Sequence, residues 1–110
     1  VTNHDEAFKA ATEKNRNMMV PWYLMAAWAY YCADEPIITD GSFDFLCFRL
    51  DIEWGQIEHW HKHLVDREQL QAGTCLKAEG DYPEIIKGAA RSLMTGLKRP
   101  DSLAKRRADK

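Results

Sequence analysis

Residues 18–50 read MMVPWYLMAAWAYYCADEPIITDGSFDFLCFRL, and the punctuation of this stretch decides the fold. Pro21 suits the first turn of a helix, where its missing N–H has no intrahelical partner to lose. From there to about Ala33 the chain is apolar nearly all round, which predicts a central core helix rather than a surface one. Met18 to Ala33 falls short of the roughly 20 apolar residues that span a bilayer, and Pro21 and three tyrosines interrupt it. Asp34-Glu35-Pro36 stops the helix, because the residue before a proline is pushed away from helical angles. Thr39 and Asp40 are good N-caps for the next helix. Phe43, Leu46, Cys47 and Leu50 give that helix one apolar face at three- and four-residue spacing.

Working outward, Asp5 and Glu6 form an acidic first turn that complements a helix dipole. Phe8, Ala11 and Thr12 then follow at helical spacing, which predicts a helix over 4–16. Downstream, Gly55 bends or breaks the path. A further helix is expected to carry Trp54, Ile57, Trp60, His61 and Leu64, with Val65 widening its face. Ala72-Gly73-Thr74 reads as a helix end. Asp81 and Pro83 open a last helix to about Leu97, with Ile85, Ile86, Ala89, Ala90, Leu93 and Met94 inward, and Pro100 ends it. Strand-like alternation does not persist anywhere. The expectation is an all-α fold, a compact single-domain bundle of about five helices over 1–97, with a basic, flexible C-terminal tail over 98–110.

Composition agrees with one domain. Of 110 residues, 45% are apolar and 11% aromatic, enough for one core. The N-terminus lacks the basic-then-apolar pattern of a signal peptide. Cys32, Cys47 and Cys75 are an odd set with no zinc-type spacing, and Cys32 and Cys47, each inside an apolar helical pattern, fit small core residues of a reduced, cytoplasmic protein with no membrane partner. The net charge of −2 hides an asymmetry, since Lys98, Arg99, Lys105, Arg106, Arg107 and Lys110 all lie in the tail. Such a tail can touch the phosphates of a nucleic acid. Asp101 and Asp109 dilute its charge, which favours a solvated terminus.

Residues 30–44 also carry a resemblance. Tyr30-Tyr31 ends one helix, Asp34-x-Pro36 makes the turn, and Asp40 and Phe43-Asp44 open the next. This order resembles the N-terminal helical subdomain of NAD-dependent DNA ligases, over Tyr30 to Leu50. There a tyrosine–histidine pair, an Asp-x-Pro turn, an aspartate and a Tyr-Asp pair grip the nicotinamide mononucleotide (NMN) half of NAD. Tyr30 stands at the family's first tyrosine, Tyr31 at its histidine, and Asp40 and Asp44 at its two aspartates. Phe43 replaces its second tyrosine, keeping a stacking surface and losing a hydroxyl. The resemblance implies Tyr30, Tyr31, Asp40, Phe43 and Asp44 as ligand-binding residues, with NAD or NMN as ligand and no required cofactor. The chemistry is coherent by itself. An N-ribosylated nicotinamide ring is cationic, so aromatic faces attract it and carboxylates neutralise it. Asp40 and Asp44 are four apart and share one side of their helix.

The ligases also need a lysine in a Lys-x-Asp-Gly motif within a nucleotidyltransferase domain. Lys77-Ala78-Glu79-Gly80 is a near miss with only thirty residues after it. The resemblance therefore implies a nicotinamide-nucleotide or nucleic-acid-processing accessory module, not a complete ligase and not an enzyme on its own.

Two other classes of function compete. His59 and His63 lie one helical turn apart, and Asp66 follows at ligand spacing, so a helix there would present a metal site. The same histidines beside Lys62 and Arg67 would meet a phosphate. Cys75, placed by its polar surroundings in a loop, pairs on paper with one of them as nucleophile and base. In the remaining class, the hairpin is only a scaffold, and Trp54 or Trp60 forms a surface for a protein partner or a homo-oligomer.

Overall fold

The computed structural model describes residues 4–75 and 77–97. The expected tail over 98–110 lies outside them. Among the described residues there is no strand. Five α-helices, α1 (Asp5–Lys14), α2 (Met19–Ala27), α3 (Asp40–Ile52), α4 (Arg67–Ala72) and α5 (Glu84–Leu97), form one all-α bundle. No helix among these residues is long and apolar enough to cross a membrane.

α2 is the centre. All nine of its residues are buried, and it packs against α3 on one side and α5 on another. An all-apolar helix is stable only when surrounded, which is why its neighbours present one apolar face each. Leu46, Cys47 and Leu50 of α3 are buried against it, as are Ile86 and Ala90 of α5. Each fully buried aliphatic side chain of this kind contributes roughly 1.5–3 kcal/mol. Burial holds the Cys47 thiol protonated, its pKa pushed up to about 12 with help from the nearby Asp44. Ile85 and Ala89, expected inward, are exposed, so the inner face of α5 is narrower than its apolar residues suggest.

α2 does not end as an ordinary helix. Trp28–Cys32 winds on as a π turn, with the Ala33 N–H donating to the Trp28 carbonyl at 3.0 Å. The Glu35 N–H then reaches back to the Ala29 carbonyl at 2.8 Å, and Asp34 takes a left-handed φ of 58° to allow it. Single π turns are a recurrent device at functional sites because they re-aim side chains. Here the wider turn leaves the adjacent Tyr30 and Tyr31 both exposed.

Thr39, not Asp40, is the N-cap of α3; its hydroxyl accepts the Ser42 N–H at 3.2 Å. Asp40 is the first helical residue, so its carboxylate is not spent on capping. The same Thr39 hydroxyl donates to Asp5 at 2.7 Å, and the Thr39 N–H donates to Asp5 at 2.9 Å, tying α1 to α3. Burial pushes the Asp5 carboxyl up, but hydrogen bonds from Thr39 and Ser42 and the charge of Lys9 outweigh it. The net pKa lies below the ordinary 3.8. A depressed carboxyl contributes stability that is fully present above its unfolded pKa and is lost as pH falls through the folded one. Asp5→Asn is therefore expected to lower stability at neutral pH and to flatten its fall below about pH 4. Urea unfolding of both proteins at pH 7 and pH 3 measures this; equal losses at both would contradict it.

The helix expected across residues 54–64 does not form. Trp54–Gln56 and Lys62–Leu64 are separate 3-10 turns, with extended backbone at Ile57 between them. The Lys62 ammonium donates to the carbonyls of Trp54 at 2.8 Å and Ile57 at 2.9 Å. Those carbonyls would otherwise have served the helix ladder. Asn17 fixes the same loop by accepting the Glu58 N–H at 2.7 Å.

Candidate functional site

The side chains singled out around the hairpin converge. Tyr30 and Tyr31 from the π turn, Asp40, Phe43 and Asp44 from α3, and Gly73 from the end of α4 line one pocket of about 230 Å³. Ala26, Pro36 and Ile38 complete it. Each element has a reason to be there. The π turn delivers the tyrosines, the left-handed Asp34 turns the chain after it, and Thr39 caps α3, on which Asp40 and Asp44 lie one turn apart.

The pocket combines three aromatic rings with two carboxylates. Tyr30 and Tyr31 meet edge to face, with ring centroids 4.9 Å apart at 70°. Burial and the neighbouring Tyr30 push the Tyr31 phenol pKa up, so Tyr31 stays a neutral phenol. Phe43 is stacked on the fully buried Tyr23, 5.7 Å between centroids at 13°. The Tyr23 hydroxyl donates to the Thr74 carbonyl at 2.7 Å, which joins α2 to the loop after α4. Asp40 and Asp44 are exposed, and among the described residues no lysine or arginine lines the pocket. Such a box attracts a flat organic cation and offers little to a phosphate.

Sequence reasoning identified Gly73 only as a helix end and missed its place in the pocket. It caps α4 with a φ of 73°, and a Cβ added there would lie 3.4 Å from an Asp44 carboxylate oxygen. Gly73→Ala is expected to cost about 1–2 kcal/mol, the penalty for an L side chain in left-handed backbone. Denaturant unfolding checks this, and an unchanged midpoint would contradict it.

The other candidate residues do not assemble. His59 and His63 are not on one helix, and Asp66 is occupied as the N-cap of α4, accepting the Glu68 N–H at 2.9 Å. Among the described residues, no group of three or more His, Cys, Asp or Glu side chains is placed to hold a metal ion. Arg67 is engaged with Asp51 at 3.0 Å, and Lys62 with two carbonyls, so the cations beside these histidines are already employed. Cys75 is buried beside the Tyr82 hydroxyl at 3.5 Å rather than displayed in a polar loop, which removes the nucleophile reading. Glu79 of the Lys77–Gly80 near miss is structural: it pairs with Lys87 at 3.1 Å and accepts the Trp28 indole N–H at 3.2 Å.

Compared with known proteins, the chain matches no family model, no curated protein and no solved structure.

Proposed function

We propose that the chain is a helical binding module whose Tyr30–Asp44 pocket takes the nicotinamide–ribose part of a nicotinamide nucleotide. One observation carries this reading. Tyr30, Tyr31, Asp40, Phe43 and Asp44 come from two elements and line a single pocket. Aromatic faces suit the ring, and the two carboxylates suit its charge and the ribose hydroxyls. The size supports the same ligand. At about 230 Å³ the pocket is below the roughly 300–1,000 Å³ of drug-sized sites, enough for a ring and a sugar rather than a dinucleotide.

Nicotinamide mononucleotide at tenfold its Kd would add about 1.4 kcal/mol to stability, which raises Tm by roughly 5 °C or more for a domain of this size. Asp44→Ala is expected to remove the rise. No shift with millimolar ligand would count against the site.

A second reading has its own observation. Phe45, Phe48 and Ile52 are exposed along one stripe of α3, an apolar face suited to a protein partner or another copy of the chain. A mass that grows with concentration in light scattering, reduced by Phe48→Glu, would support it. A strictly monomeric species would count against self-association.

A further inference from the structure

A second cavity lies away from the nucleotide pocket, across α2. It is a groove of about 660 Å³ between α1, α2, α5 and the loop around Trp60. Trp22 and Met25 of α2 and Ala89 and Leu93 of α5 form much of its apolar wall. Its volume falls in the range of small-molecule sites, roughly 300–1,000 Å³. Mostly apolar clefts with a few convergent polar groups are the usual form of such sites.

The polar groups among the described lining residues include two adjacent imidazoles, His59 and His61, with the Ser92 hydroxyl on α5. The His61 backbone N–H donates to His59 Nδ1 at 3.1 Å. The neutral His59 ring must therefore carry its proton on Nε2, which makes it a donor. The His61 ring is 5% exposed, stacked on Trp60 at 4.0 Å between centroids. Its Nδ1 is buried and has no hydrogen-bond partner among the described residues. Leaving a buried polar atom unmet is unfavourable, and such an atom in a folded protein is an exception that calls for an explanation, a bound molecule being one. Among the described residues no aspartate or glutamate lines the groove, so an incoming anion meets no carboxylate from them.

We propose that this groove binds a small molecule with an apolar body and an anionic acceptor head, such as a medium-chain carboxylate, its head at His59 and His61 and its chain between α2 and α5. Two features favour a small molecule over a macromolecule. The groove is walled by three helices and a loop, and its polar end holds two imidazoles rather than an extended polar rim.

Octanoate and octylammonium share a chain and differ in head, and both can be titrated below micelle-forming concentrations with calorimetric detection. Octanoate is expected to bind saturably at one per chain, with octylammonium about tenfold weaker or more. Ala89→Trp, at an exposed position of α5, fills the groove and is expected to abolish binding with circular dichroism unchanged. His59→Phe keeps the apolar wall and is expected to remove the preference between heads. Four results would each overturn the proposal: no saturable binding at several millimolar, equal binding of the two heads, binding that survives Ala89→Trp, or a dimer whose formation Ala89→Trp abolishes.

Discussion

Replacing Tyr23 with alanine is expected to lower the unfolding free energy by about 3–5 kcal/mol, the usual cost of deleting a buried aromatic ring. Tyr23 is fully buried in α2, the helix against which both α3 and α5 pack. The loss would take a large share of the roughly 5–15 kcal/mol that holds a domain folded. It would also reach the pocket, because the Phe43 ring rests on Tyr23 and Thr74 accepts its hydroxyl. Tyr23→Phe separates the two roles. It keeps the stack and removes the hydroxyl, with its hydrogen bond to Thr74 and its contact with Cys75, at a cost of about 1–2 kcal/mol. Urea denaturation of the three proteins measures the series. Equal losses for the two variants would show that the ring carries none of the stability attributed to it.

The second large effect concerns ligand charge. Among the described residues the pocket presents two carboxylates and no basic side chain, so the phosphate of a mononucleotide gains nothing from them and is repelled. Nicotinamide riboside, a net cation, is therefore expected to bind about fivefold more tightly than the mononucleotide, the value of roughly one exposed charge pair. The reduced riboside has a neutral ring and forfeits both the aromatic and the carboxylate attraction. It should bind about tenfold more weakly than the oxidised form. Asp44→Asn should narrow both differences, since it removes one of the two charges that make them. Calorimetric titration of the three ligands into both proteins checks this. Tighter binding of the mononucleotide would mean that a cation outside the pocket lining reaches its phosphate.

Much of this was legible in the sequence because it depended on local rules. Pro36 and the Thr39 cap set the hairpin, and the aspartates then fell one turn apart by arithmetic. The apolar residues from Met19 onward announced a buried helix for the same reason. The π turn was not legible: its cause is the pull of the Ala29 and Trp28 carbonyls on amides beyond the helix end, which no residue type signals. Residues 54–64 misled for a different reason. Trp54, Ile57, His61 and Leu64 recur at three and four, a spacing that serves two 3-10 turns as well as one α-helix. The Lys62 side chain decides between them by capturing two carbonyls, and that is a tertiary event. Losing that helix also dispersed His59, His63 and Asp66, whose proposed metal site depended on it.

The proposed nicotinamide site is testable residue by residue. Backbone amide NMR during a titration with nicotinamide riboside should show saturable shifts concentrated at Tyr30, Tyr31, Asp40, Phe43, Asp44 and Gly73, and these should be lost in Asp44→Ala. An absence of shifts at millimolar riboside, or shifts centred on other residues, would contradict it.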